Sequence, residues 1–304
     1  MTYRSFLAPI HDYSDLAFRL LCQKHGAESA CVPLVNATAI ARNQAKLVMV
    51  DAHPDEKNVG VQLVGDSPDV MAKAAGMIMD AKGFVSWLNI NCGCPSIRTV
   101  ESGGGSALLD NPGKIAEAVS AVKRATTKSD TPVSVKMRIK DGLEGSARIC
   151  SMIEEAGADF VIVHGRSVVQ GYSGKADWGI IKTLKERAGI PVVGNGDVKD
   201  ASEGERFVGG GYCDGFMIGR AAMANPGVFQ DKGGGALEER FAMLREYASL
   251  QEGYLGKPDI TAVKMKALNF TRGLPGASAM RDRIARAKTM EEIFEEKREK
   301  KSKT

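Results

Sequence analysis

The chain lacks any apolar run approaching the roughly 18–20 residues that cross a bilayer. Its opening, MTYRSFLAPIHDYSD, has no basic start followed by a long apolar stretch, so neither membrane insertion nor signal-directed secretion is expected. Cysteine is scarce: six among 304 residues, four of them isolated, make no disulfide framework and fit a reducing, cytoplasmic interior. Charge of one sign is also missing, since 41 Lys+Arg face 37 Asp+Glu for a net of +4. No GxGxxG follows the first apolar segment, which disfavours a doubly wound dinucleotide-binding sheet. No CxxC or HxxxH accompanies the CxC of Cys92 and Cys94, so a zinc ion would lack its other ligands and no metal is expected.

What is present is a rhythm in an ordinary globular composition of 26% charged and 43% apolar residues. Eight short β-branched or apolar segments recur: Ser5–Ala8, Ser29–Leu34, Val59–Leu63, Trp87–Asn91, Pro132–Met137, Phe160–His164, Pro191–Gly194 and Gly215–Ile218. Between them apolar residues fall at three- and four-residue spacing, as in Val70-Met71-Ala74-Met77-Ile78 and Ile115-Ala118-Val119-Val122. Helix starts are marked by Asp69 after Pro68, Asn111 before Pro112 and Asp177 before Trp178. This pattern predicts an α/β protein, a (β/α)8 TIM barrel over residues 1–232. From Gly233 the strand pattern stops. Gly233–Gly235 read as a linker, and residues 236–304 as a small helical domain with a frayed, charged end.

The small net charge is unevenly placed. Residues 233–304 hold 15 basic and 11 acidic side chains, which is the whole imbalance. Within 257–288 eight basic residues face two acidic ones. A solvated helix face and a phosphate-binding surface both fit such a run.

In a barrel of this kind chemistry sits at the C-terminal strand ends. Those ends carry Pro9 and His11, Gln62, Asn91 and Cys94, Lys136 and Arg138, His164 and Arg166, Asn195 and Asp197, and Gly219 and Arg220. Gly219 and Arg220, leading into a helix, together with the glycines of PVVGNGDV, offer backbone N–H groups and a guanidinium to a phosphate; shaping of tight turns is the alternative. Gln62, Lys136 and His164 would surround a flat ring with carbonyl and imide edges, such as an isoalloxazine. Each taken singly also fits a snorkelling lysine or a satisfied core polar group. Cys94 precedes Pro95 and the glycines Gly103–Gly105, which could form a mobile loop over a pocket. A cysteine there can donate a proton or act as a nucleophile.

The segments LAPIHDYSDLAFR, VGVQLVG, LNINCGCP with GGGSALLDNP, PVSVKMRI, VIVHGRS, QGYSGKADW, PVVGNGDV and DGFMIGRAAMANPGVF, in this order, resemble the tRNA-dihydrouridine synthase family along the whole barrel. The resemblance implies a flavoenzyme that reduces uridines in tRNA, with FMN at the barrel mouth and NADPH as reductant. Pro9, Ile10 and His11 would line the flavin, with Gln62 and Lys136 on its polar edge. His164, Asn195, Gly196, Asp197, Gly219 and Arg220 would serve the ribityl chain and phosphate. Asn91 would support both flavin and flipped base, with Arg138 and Arg166 beside the substrate. Cys94 would protonate carbon 5 of the uracil while hydride from reduced FMN reaches carbon 6. The family's helical tRNA-binding domain makes Lys264, Lys266, Arg272, Arg281, Arg283 and Arg286 the expected phosphate contacts, and no protein partner is implied. His11, where the family has a small residue, and CVPLVNA around Pro33 depart from the family pattern. The competing readings are a flavin barrel reducing a free pyrimidine, akin to dihydroorotate dehydrogenase, and a catalytically silent tRNA-binding protein.

Overall fold

The computed structural model describes residues 3–230 and 235–294. Eight strands run β1 (Ser5–Leu7), β2 (Ala30–Asn36), β3 (Val59–Val64), β4 (Val85–Cys92), β5 (Val133–Ile139), β6 (Phe160–Ser167), β7 (Val192–Asn195) and β8 (Gly215–Ile218). They form one parallel sheet in the order β1-β8-β7-β6-β5-β4-β3-β2. A single bridge, Phe6 to Ser29, closes β1 onto β2. Helices alternate with the strands, which makes the fold a (β/α)8 barrel on the eight expected segments. β2 through β7 all continue one to three residues past their expected ends, so Arg138 and Arg166 lie within strands rather than in the loops after them.

Side chains alternate between the two faces of a strand, and here that alternation sorts chemistry by height. On β4, Leu88, Ile90 and Cys92 face outward into the core shared with the helices. Trp87, Asn89 and Asn91 face the barrel axis. On β5 the inward set is Ser134, Lys136 and Arg138, and on β6 it is Phe160, Ile162, His164 and Arg166. The barrel floor is aromatic: Trp87 lies 5.9 Å from Phe6 and 5.5 Å from Phe160, ring centroid to centroid. Gly60 on β3 makes room for it, because a Cβ there would sit 2.3 Å from the Trp87 ring. Apolar packing fills the lower barrel and polar groups gather above it.

The outer helices follow the periodicity. Ile115, Ala118, Val119 and Val122 of the helix Pro112–Thr126 are all buried, each large one contributing about 1.5–3 kcal/mol. Asn111 and Asp177 cap their helices as expected, but Ser67 rather than Asp69 caps the helix Pro68–Ala81, with Pro68 in its first turn.

Beyond the barrel the described residues form four helices, Leu237–Leu255, Ile260–Phe270, Ala277–Arg286 and Met290–Phe294. Phe241, Leu244, Tyr247, Val263 and Phe270 share a core with Phe18 and Leu21 of the first barrel helix, Leu16–Lys24. The expected linker falls largely, and the charged end beyond Phe294 wholly, outside the described residues. Among the described residues no helix is long and apolar enough to cross a membrane.

Candidate active site

A cavity of about 1110 Å³ opens at the C-terminal ends of the strands. Every strand-end residue singled out from the sequence lines it: Pro9, Ile10, His11, Gln62, Asn91, Cys94, Lys136, Arg138, His164, Arg166, Asn195, Gly196, Asp197, Gly219 and Arg220.

Its β3–β5 wall is an amide relay. The Ser134 hydroxyl donates to the Leu88 carbonyl at 3.0 Å and accepts from Asn89 Nδ2 at 2.8 Å. Gln62 Nε2 donates to Asn89 Oδ1 and Asn91 Nδ2 to Gln62 Oε1, both at 2.8 Å. Asn91 Oδ1 in turn accepts the N–H groups of Gly93 at 3.1 Å and Cys94 at 2.9 Å. Each amide thus fixes the next, and the relay ends by setting the backbone of the cysteine. The thiol of Cys94 is half-buried, 3.7 Å from Thr99 Oγ1. Gly105 permits this fold-back: at φ 60°, a Cβ there would stand 2.6 Å from the Cys94 carbonyl oxygen. Gly103 and Gly104 pack against Asp66 and Gly65. The glycine run therefore serves close packing and lines no part of the cavity, which corrects the expected loop over the pocket. Cys92, in the outer core, and Cys94, in the cavity, face different environments.

Above Ser134 on β5, and on round the barrel through β6 to β8, stands a group of cations. Lys136 donates to Asn195 Oδ1 at 3.2 Å, and Asn195 Nδ2 to the Met217 carbonyl at 2.8 Å. Burial, and then Arg138, bring the Lys136 ammonium down to about 8. His164 is brought down to about 2 by burial and by Lys136, Arg138, Arg166 and Arg220, so its imidazole is neutral. The ring fits only because residue 196 is glycine. At φ 117°, a Cβ there would lie 2.9 Å from His164 Cδ2 and 2.7 Å from Ala176 Cβ.

Arg138 and Arg166 are buried and brace the loop after β6 from beneath. Arg138 donates to the carbonyls of Gly93 (3.1 Å), Ser167 (3.0 Å) and Gly171 (2.7 Å). Arg166 donates to those of Ser173 (3.1 Å) and Gly174 (2.7 Å) and pairs with Asp197 at 2.7 Å. Arg220 donates to Asp197 Oδ1 at 2.8 Å, an oxygen that Arg166 also reaches at 2.8 Å. Partial burial opposes its ionisation, but the Ala176 N–H, Arg166 and Arg220 together hold Asp197 below the usual carboxylate range. Arg166 Nη1 is buried and answered by no group of the protein. Arg166, Lys136 and the half-exposed Arg220 all line this cavity, a set of cations that suits an anionic ligand. The helix after Gly219 is only five residues long, so Arg220 and nearby backbone carry that fit rather than the helix dipole.

Of the lining residues that the sequence does not single out, three shape the cavity most visibly. Leu34 enters from a bulge in β2 at φ 44°. Tyr172 is exposed, with the guanidiniums of Arg220 and Arg138 at 5.0 and 5.5 Å from its ring centre. Trp178 donates to the Gly196 carbonyl at 3.0 Å. His11 is exposed beside Asp12.

The basic run beyond the barrel divides. Lys266 is fully buried, bonded to Asp15 at 2.8 Å, so its charge is not available to a phosphate; this corrects its expected role. Lys264 donates to the carbonyls of Ala285 (2.7 Å) and Ala287 (2.9 Å) at a helix end, and Arg283 to that of Glu292 (2.5 Å). Arg281 is half-buried, whereas Arg286 and Arg272 are exposed. Arg272 alone of the described helical segment lines the cavity.

A parallel barrel with a donor-rich cavity at its C-terminal face defines the class: a (β/α)8-barrel enzyme. The chain belongs to the dihydrouridine synthase family, an oxidoreductase family whose model matches residues 6–303. It is 30% identical over 294 residues to a probable tRNA-dihydrouridine synthase of Aquifex aeolicus, covering 94% of this chain and 92% of that protein. It is also 30% identical to the tRNA-dihydrouridine(47) synthase [NAD(P)(+)] of Coprinopsis cinerea, over 83% of this chain and 40% of that longer protein. Among solved structures it is similar in fold to a complex of 2-naphthoyl-CoA reductase with 2-naphthoyl-CoA (TM-score 0.59, 13% identity, 75% of this chain and 49% of that one). Histamine dehydrogenase from Rhizobium sp. 4-9 gives a TM-score of 0.58 at 15% identity, over 88% of this chain and 48% of that one. The chain thus spans about half of either structure.

Proposed function

We propose that this protein reduces uridine in tRNA to 5,6-dihydrouridine, with FMN as its bound cofactor and NADPH as electron donor. The observation that carries this reading is the meeting, in one cavity, of a thiol and a flavin-type donor set: Cys94, its N–H held by Asn91, shares walls with Gln62 and Lys136. Family membership and the names of the relatives support the substrate, and NAD(P)(+) in the name of the fungal relative supports a nicotinamide donor.

Gln62, Asn91 and Lys136 would hold the polar edge of the flavin ring, and Pro9, Ile10 and His11 its side. Asn195, Gly196 and His164 would flank the ribityl chain, with Gly219 and Arg220 at the phosphate and Asp197 orienting Arg220 and Arg166. When bound and reduced, FMN supplies the hydride for carbon 6 of the uracil. The proton for carbon 5 comes from the Cys94 thiol: a C–H bond forms as S–H breaks, and the electron pair stays on Sγ. Solvent then returns a proton to the thiolate. The target base must leave its stack to enter, at a cost of a few kcal/mol. Residues 236–304 serve tRNA binding in this reading, through exposed charges such as Arg286 and Arg272.

The test compares acceptors. Purified protein should be yellow and, with NADPH, reduce an unmodified tRNA transcript far faster than free uridine or orotate. Preference for the free pyrimidine would support the dihydroorotate dehydrogenase-like reading. A colourless protein that still bound tRNA would identify a silent binder.

A further inference from the structure

The fully buried ammonium of Lys266 poses a question of purpose. It lies 4.0 Å from the ring centre of Tyr13, 5.1 Å from that of Tyr247 and 5.3 Å from that of Phe18. It donates to the Tyr13 carbonyl at 2.5 Å and to Asp15 Oδ2 at 2.8 Å. A buried ion pair is weak evidence for stability, since apolar replacements often serve as well; fixing one register is its better-attested use.

What this ammonium joins is specific. Tyr13 closes the β1 loop that carries Pro9, Ile10 and His11 into the cavity: its N–H donates to the Ile10 carbonyl at 3.1 Å. Its hydroxyl donates at 2.9 Å to the carbonyl of Met223, another cavity-lining residue. Asp15 caps the first barrel helix with its other oxygen and also accepts from the Tyr247 hydroxyl at 2.8 Å. On the far side, Lys266 belongs to the helix Ile260–Phe270, which ends just before Arg272. Arg240, buried in the helix Leu237–Leu255, ties that end down by donating to the carbonyls of Phe270 (3.0 Å) and Arg272 (2.9 Å).

We propose that Lys266 is a positioning residue: it locks the helix Ile260–Phe270 onto Tyr13 and Asp15 so that Arg272 is presented at the cavity mouth, setting the register between bound tRNA and the reacting uridine. The proposal rests on the tRNA reading above. It separates two jobs that the basic run in the sequence runs together, since Lys266 acts on tRNA only through Arg272.

Lys266→Met keeps the volume and removes the charge. In the flavin-loaded enzyme, the variant should retain its flavin and reduce it with NADPH at the wild-type rate. KM for an unmodified tRNA transcript should rise about tenfold, as for loss of a phosphate contact. Arg272→Ala should raise KM similarly, and Lys266→Met/Arg272→Ala should be no weaker than Arg272→Ala alone, because the two act as one unit. A wild-type KM in folded Lys266→Met, or additive losses in the double variant, overturns the proposal. Should Lys266→Met not fold, Arg240→Gln cuts the other tie: a raised tRNA KM supports the coupling and a wild-type KM refutes it. Failure of the wild-type enzyme to reduce tRNA at all instead removes the underlying tRNA reading, and the proposal with it.

Discussion

Both halves of the molecule hold buried or partly buried cations, but they use them differently. Beyond the barrel, Lys264 and Arg240 give their donors to backbone carbonyls, and Lys266 to a carbonyl, a carboxylate and three aromatic faces. At the barrel mouth, Arg166 keeps Nη1 buried and unanswered, and Lys136 donates one hydrogen bond, to Asn195. The first group is finished architecture, whereas the second also lines the cavity at the strand ends. A run of basic residues in a sequence does not distinguish them, because the difference lies in which donors the fold has already satisfied.

The contrast can be broken most forcefully at Arg166. Arg166→Ala strips Asp197 of one guanidinium and unties the loop after β6, so urea unfolding should show a loss of about 3 kcal/mol, with flavin lost as well. A loss confined to flavin content would mean that Arg166 only awaits its ligand and holds up nothing. Gly196→Ala comes next. The strained φ and the push on His164 should cost about 1–3 kcal/mol and lower FMN affinity, read by fluorescence titration.

His164 sharpens the comparison through pH. Its folded value of about 2 lies below the ordinary 6.5 of an unfolded histidine, so its contribution is complete above pH 6.5 and shrinks as pH falls from there toward 2. The flavin-free protein should lose up to about 1.4 kcal/mol per pH unit from this group, and His164→Asn should flatten that part of the profile. The smallest effect is expected on the exposed helical face. Arg286→Ala should leave stability within about 0.5 kcal/mol and lower the salt dependence of tRNA binding by about one ion. A changed melting temperature there would mean that Arg286, too, is architecture.

The barrel was legible because hydrophobic rhythm and strand-end chemistry both depend on short-range spacing. LNINC shows Asn91, and with period two it also exposes Asn89 on the same face, just as Ser134 precedes Lys136. That signal was available for the relay. Leu34 was hidden, since a bulge shifts the alternation that would have placed it. Tyr172 sits in a loop with no period, and only the guanidiniums beneath the loop reveal its place. Lys266 was misplaced for a physical reason: one lysine inside a basic run looks like its neighbours until Asp15, some 250 residues away in sequence, is seen beside it.

The most direct measurement is the rate at which an unmodified tRNA transcript reoxidises the reduced flavin of the wild-type enzyme and of Cys94→Ala, with dihydrouridine counted by mass spectrometry. If Cys94 supplies the proton, the variant should bind FMN and accept electrons from NADPH normally, yet form dihydrouridine about 10²–10⁴ times more slowly. Wild-type turnover in Cys94→Ala would contradict the role assigned to Cys94.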